Sequence, residues 1–216
     1  LDELLVSLVP RHSATRTDYD RVLKQRNALL KSARAGKFTA GHEATLDVWD
    51  QHMARAGAEL LHARLELVDL LRPHLAKAYA QLTDGSKEAN AIYRSTLQNL
   101  MDDDGGAAPG AGGSLMVEGC VAAEDLRDLT VEDLTGRYIQ AFAASRRKEL
   151  DRGISLVGPH RDELELVLGE APAKGYASHG ETWSMCLSLR LASSSVMRAA
   201  AMTAGASPSL IRAYVS

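Results

Sequence analysis

Cysteine is scarce in this chain: Cys120 and Cys186 are the only two, far apart and outside any CxxC or Cys/His cluster. That argues against a disulfide-stapled domain or a zinc ribbon, and a reducing, cytoplasmic setting is the expectation. Aromatic residues are equally thin at 5% while alanine is abundant, a composition of helices rather than of a β-sandwich. No apolar run approaches the roughly 18 residues of a membrane span, and the start carries no signal-peptide pattern, so no membrane partner is expected. Neither sign of charge dominates. Lys plus Arg number 25 against 28 Asp plus Glu, for a net charge of -3. This excludes a histone-like polycation, so any nucleic-acid contact must come from a local basic stripe.

Familiar chemical motifs are missing too. There is no GxxxxGK[ST] loop to cradle a phosphate (Walker A), and no apolar strand ending in paired carboxylates (Walker B). The seven histidines never fall in HExxH or paired-ligand spacing, so no metal site is expected. Gly175-Tyr-Ala-Ser178-His-Gly180 has one residue too many before its serine for a nucleophile elbow. No catalytic residue is therefore assigned. What is present is a 45% hydrophobic fraction, ample for a core, in 216 residues. At about 150 residues per domain that is one domain or one and a half.

Helical periodicity fills the first half. Leu1, Leu4, Leu5 and Leu8 form one stripe, broken or re-aimed at Pro10. A second runs through Tyr19, Val22, Leu23, Leu29, Leu30 and Ala33, with Thr17 as expected N-cap and Gly36 as stop. From about 45 to 82 the residues Leu46, Trp49, Met53, Ala56, Leu60, Ala63, Leu67 and Leu70 alternate by three and four positions. That is the pattern of a long helix packed in coiled-coil fashion, most simply against residues 17–35 folded back antiparallel, with Pro73 kinking or restarting it. Residues 101–113 read as a flexible acidic and glycine-rich loop. From Asp102 to Asp133 there are nine acids and a single base, Arg127. Thr130 and Asp133 predict a capping box, with Leu129 stapled onto Leu134, opening a helix that stops at Gly153. Beyond it the period falls to two. Ile154–Val157 reads as a strand, then Leu164, Leu166 and Leu168 alternate into a hairpin closed by Tyr176, and a last helix spans about 181–200. The expected fold class is α+β, mainly α.

Three constellations are candidates for function. Ser178-His179-Gly180-Glu181 sits between a strand and a long helix. Ser178 and Glu181 make a capping box, while Gly180 and the helix start would admit a phosphate if Glu181 folds back. Gly158-Pro159-His160-Arg161-Asp162 forms a polar turn, and Arg21, Lys24, Arg26 and Lys31 are candidate phosphate-backbone contacts on one helix.

In order along the chain, LDELL, YDRVLKQRNALLKSA (19–33), LDVWD (46–50), GPHRDELEL (158–166) and GYASHGETWSMCLSLRLAS (175–193) resemble the RecF family of bacterial recombination proteins, in its actinobacterial form. The resemblance implies an ATP-binding-cassette-type ATPase head with a coiled-coil-like helical arm inserted in it, only part of the head being present. Residues 1–10 would leave the head, 11–152 form the arm, and 153–216 return to the head. Ser178, His179, Gly180 and Glu181 would be the signature, which meets the γ-phosphate of ATP on the opposite subunit. Many relatives have Gln where Glu181 stands. ATP with Mg²⁺ is the implied cofactor of the intact family, with none held tightly by this chain. An ATP-dependent homodimer, gapped DNA, RecR and RecO are the implied partners, and recombinase loading and SOS induction the implied role. The family is a weak DNA-dependent ATPase. This chain, without Walker A and Walker B, is expected not to hydrolyse ATP. It begins without Met, inside an amphipathic pattern, and reads as a piece of something longer. The alternative from residues alone is a helical interaction module without nucleotide chemistry.

Overall fold

A computed structural model describes residues 1–37, 40–85, 87–97, 121–122 and 126–203. The elements are α1 (Asp2–Leu8), α2 (Arg11–Ser32), α3 (Ala40–Leu82), β1 (Ala89–Ser95), β2 (Val121–Ala122), α4 (Val131–Arg152), β3 (Glu163–Leu168), β4 (Ala171–Pro172) and α5 (His179–Thr203). The chain is mostly helical, with a small sheet in the order β2-β1-β3-β4. The β1–β2 and β3–β4 pairs are antiparallel. The chain divides into two compact units: 1–10, 64–92 and 164–216 make the first, and 11–63 with 93–163 the second. The loop expected at 101–113 lies outside the described residues.

The second unit is built on an antiparallel hairpin of helices. Moving back seven residues along α2, from Arg26 to Tyr19, moves the contact forward seven on α3, from Asp50 to Gly57. Gly36 turns the chain between them with φ +76°, a conformation open to glycine at no steric cost. α4 packs as the third helix. It starts on the Thr130–Asp133 capping box and ends at Gly153 in the left-handed region. A Cβ on Gly57 would meet the Tyr19 ring at 3.3 Å and the Tyr138 ring at 3.6 Å, which is why the three helices approach so closely there.

In the first unit α1 packs against α5, and Arg64 from the second half of α3 grips Asp2 with two bonds of 2.8 Å. Leu65, Val68, Leu71, Leu75 and Tyr79 line the inner side of that half-helix, with Met185, Ala192 and Val196 of α5 also buried. Arg72 Nε donates to the Ala91 carbonyl of β1 at 2.7 Å.

Several expectations need correcting. Thr17 is not an N-cap, because α2 starts at Arg11, straight after Pro10, and the Thr17 hydroxyl donates back to Ser13 O. Pro73 does not restart α3, which runs as one helix to Leu82. Its buried neighbours Leu71 and Leu75 hold the helix while one hydrogen bond is forgone. Of the heptad stripe, Leu46, Met53, Leu60, Ala63 and Leu67 are buried, but so are Ala54, Ala58, Leu61 and Leu65 beside them. The buried face is therefore broader than a coiled-coil seam. Ile154–Val157 is no strand. Asn27 takes the Ser155 amide and Glu149 the Leu156 amide, so the segment spends its backbone donors on side chains. The hairpin after β3 is only two residues deep, since Pro172 has no N–H to continue the ladder, and Tyr176 ends exposed on a single helical turn. Finally, Ala89–Ser95 is a strand inside what reads from sequence as a wholly helical half.

Candidate functional site

The start of α5 follows a turn that only glycine fits easily, with Gly175 at φ +88° and Ala177 extended. Ser178 O accepts from the Thr182 amide at 2.9 Å, the first turn of the helix. Glu181 Oε2 accepts from the Ser178 amide at 2.7 Å and Ser178 Oγ from the Glu181 amide at 3.3 Å, a complete reciprocal cap. Glu181 is thus folded back onto its own helix start. The amides of His179 and Gly180, first in the helix, have no intrahelical acceptor. Ser178, His179 and Gly180 are exposed, and a Cβ on Gly180 would meet nothing within 4 Å.

Two features of this turn are not foreseeable from spacing. Lys87, from the loop before β1, places Nζ 2.6 Å from Glu181 Oε1. With that ammonium and the Ser178 groups donating, the Glu181 carboxyl titrates at about 2, far below its ordinary range, and the bond to Glu181 in turn raises Lys87. The Tyr79 phenol is pushed up by burial and then by the Glu181 charge. Separately, the Trp183 indole N–H donates to His179 Nε2 at 2.9 Å, edge to face. Trp183 itself is 66% exposed, and Tyr176, Leu187 and Leu191 are also open to solvent.

The Gly158–Asp162 turn faces inward and works as a latch in the second unit. Asp162 accepts from the Thr96 amide (2.8 Å), Thr96 Oγ1 (2.9 Å), Tyr93 Oη (3.1 Å) and Ser95 Oγ (3.2 Å), so it caps the end of β1. His160 Nδ1 lies 2.7 Å from Tyr19 Oη while Nε2 faces the Ser155 carbonyl at 3.4 Å. A carbonyl only accepts, so Nε2 carries the proton and Tyr19 donates to Nδ1. Arg161 also donates to Ser155 O, at 3.3 Å from both Nε and Nη2.

On α2, Arg21, Lys24 and Lys31 are exposed. Arg26 corrects the reading of one basic face, for it is wholly buried. Its Nε donates to Asp50 at 2.6 Å, Nη2 to Glu149 at 2.6 Å and Nη1 to Ser155 Oγ at 2.8 Å, and its guanidinium lies 4.9 Å from the Phe142 ring centre. Burial lowers its pKa, yet Glu149 and Asp50 more than offset this and the net shift is upward. Arg146 bridges Asp47 and the other Asp50 oxygen. A wholly buried guanidinium whose three nitrogens are engaged by Asp50, Glu149 and Ser155 is out of reach of a phosphate.

Among the described residues no group of three or more His, Cys, Asp or Glu is placed to hold a metal ion, and no helix is long and apolar enough to cross a membrane.

No family model matches this sequence. Curated relatives do. The chain is 78% identical to the DNA replication and repair protein RecF of Arthrobacter sp. (strain FB24), over 98% of its own length and 52% of that protein. It is 77% identical to RecF of Paenarthrobacter aurescens (strain TC1) and 50% identical to RecF of Renibacterium salmoninarum, again over 98% of this chain and 52% of theirs. Among solved structures, the recombination mediator protein RecF-ATPrS of the RecFOR pathway superposes with a TM-score of 0.74 at 16% identity, covering 92% of this chain and 45% of that one. The RecF-ATP structure of the same pathway gives 0.72, covering 93% and 45%. The chain thus spans about half the length of the curated relatives it matches, and over that half it belongs to the RecF family.

Proposed function

We propose that this chain is the arm and signature-bearing part of a RecF-type DNA replication and repair protein, with an ATP-binding-cassette head. In this reading residues 1–10 and 153–216 belong to the head and 11–152 to the arm. The start of α5 meets the terminal phosphate of ATP held by another copy, so that two subunits close on each other and on DNA. The observation that carries it is the exposed, reciprocally capped Ser178–Glu181 turn. Its carboxylate is folded back, leaving the His179 and Gly180 amides and the positive end of a 25-residue helix facing solvent.

The role of each residue follows from its chemistry. Ser178 fixes the turn, Gly180 keeps the approach open, and the amides supply donors to a charge that the neighbouring copy brings. Arg21, Lys24 and Lys31 are the arm cations offered to a DNA backbone. ATP with Mg²⁺, RecR and RecO are the ligand and partners of this reading, and the cytoplasm its place. Recombinase loading and SOS induction are the processes it serves.

The test is ATP-dependent association between the tagged chain and full-length RecF of Arthrobacter sp., followed by sedimentation velocity. Association should appear on addition of ATP and be lost in Ser178→Arg, whose side chain fills the approach. Association indifferent to ATP, or unaffected by Ser178→Arg, refutes the reading.

A further inference from the structure

The signature turn of this chain carries a carboxylate three residues after its serine, at the spot where a triphosphate would have to come. A negative side chain is at home at a helix N-terminus, but it occupies the same positive potential that an incoming anion needs. The structure supplies the counter-charge from elsewhere in the sequence. Lys87 Nζ lies 2.6 Å from Glu181 Oε1, while the other carboxylate oxygen accepts from the Ser178 amide at 2.7 Å.

Lys87 is set up to do this. Gly85 turns the chain with φ +75° just ahead of it. The next residue, Glu88, is pinned through its carbonyl to the Gly169 amide of the β3–β4 turn at 2.8 Å. The lysine therefore projects from a fixed base, two residues from the first residue of β1. It also borders an open cleft of about 460 Å³ with Lys77, Gly85 and Glu88, so its ammonium stays in contact with solvent. The α5 helix holds no other acid, and Lys87 is the cation that meets the one it has.

We propose that Lys87 is a positioning residue for the signature turn: it neutralises Glu181 and holds it folded back, so that a polyphosphate meets amides rather than a free carboxylate. This deepens the nucleotide reading above and rests on it. Lys87 acts through Glu181 and is not itself assigned to the phosphate.

The experiment uses the same association with full-length Arthrobacter RecF and ATP, comparing wild type, Lys87→Met, Lys87→Arg, Glu181→Gln and the Lys87→Met/Glu181→Gln double variant. Lys87→Met exposes one uncompensated charge near the anion and should weaken association by about tenfold. Lys87→Arg should restore it. Whatever level Glu181→Gln itself reaches, Lys87→Met should have no further effect in that background. Thermal midpoints should differ only slightly across the set, since a pair open to solvent contributes little to stability, so a loss of association separates positioning from a merely structural part. A neutral Lys87→Met, or one equally damaging with and without Glu181, overturns the proposal while leaving the signature reading in place. Failure of the wild-type chain to associate on ATP addition overturns both.

Discussion

Removing Arg26 tests how the second unit is held together. Arg26→Met keeps an unbranched apolar stem but deletes the guanidinium, with its five N–H donors and its contact with the Phe142 ring. The two carboxylates left behind are not equivalent. Asp50 keeps Arg146 on its second oxygen. Glu149 keeps only the Leu156 amide, and its side chain has no exposure to water at all. Breaking a buried pair by removing one partner costs about 3–5 kcal/mol, chiefly the penalty of the stranded charge, and Glu149 is where that penalty falls.

The assay is urea unfolding followed through Trp49, which is half-buried on α3, in a Trp183→Phe background that silences the exposed indole of α5. With a slope of about 1.5 kcal/mol per molar urea, the midpoint should fall by roughly 2–3 M. A second variant removes the ambiguity of outright unfolding. Arg26→Met/Glu149→Met deletes the stranded charge too, and should recover at least half of the loss, because a well-packed apolar pair often matches a buried ion pair. A midpoint shift in Arg26→Met under about 0.5 M would show that the guanidinium contributes little and sink the reasoning. So would a double variant less stable than the single one.

Two further outcomes follow from the same geometry. Gly158 has φ +132° and its added Cβ would run into Tyr19 Oη and crowd His160 Nδ1, so Gly158→Ala should break the Tyr19–His160 bond and cost about 2–3 kcal/mol in the same unfolding assay; an unchanged midpoint counts against the latch. The Glu181 carboxyl, held at about 2 by Lys87 and then by the Ser178 groups, lies below its unfolded value. Its contribution to stability is therefore complete above the unfolded pKa of about 4.3 and is lost as pH falls through the native value. Carboxyl NMR of the labelled chain should place its titration near the low end of that window, and an ordinary midpoint in the folded protein would contradict the ion pair.

What the sequence made legible was whatever rests on neighbours in the chain. The α2–α3 hairpin, the Thr130 capping box, the Gly153 stop and the Ser178–Glu181 cap are all set within a few turns, and spacing reports them directly. The misses share a different cause. β1 presents Ala89, Ala91, Tyr93 and Ser95 inward, a face too small and polar to stand out beside the long apolar helix before it. Ile154–Val157 has the apolar run of a strand, but Asn27 and Glu149 reach it from more than a hundred residues away and from within α4 to claim its amides.

Arg26 is the sharpest instance of the same rule. It lies two residues from Lys24 and five from Arg21 on a basic helix, yet seven after Tyr19 and four before Leu30, so helical spacing sets it on the apolar stripe rather than with them. What the sequence does not show is its partners: α3 brings Asp50 and α4 brings Glu149 to that face, and the arginine becomes a buried junction of three helices. Lys87 makes the converse point: a lone lysine in a polar loop acquires its meaning from a glutamate 94 residues later. Charge pairing at long range carries no periodicity, so a sequence shows the charges of such a site and leaves their partners to the fold. The Ser178–Glu181 turn was legible because its cap is local, and the cation that pairs with it was hidden because that contact is not.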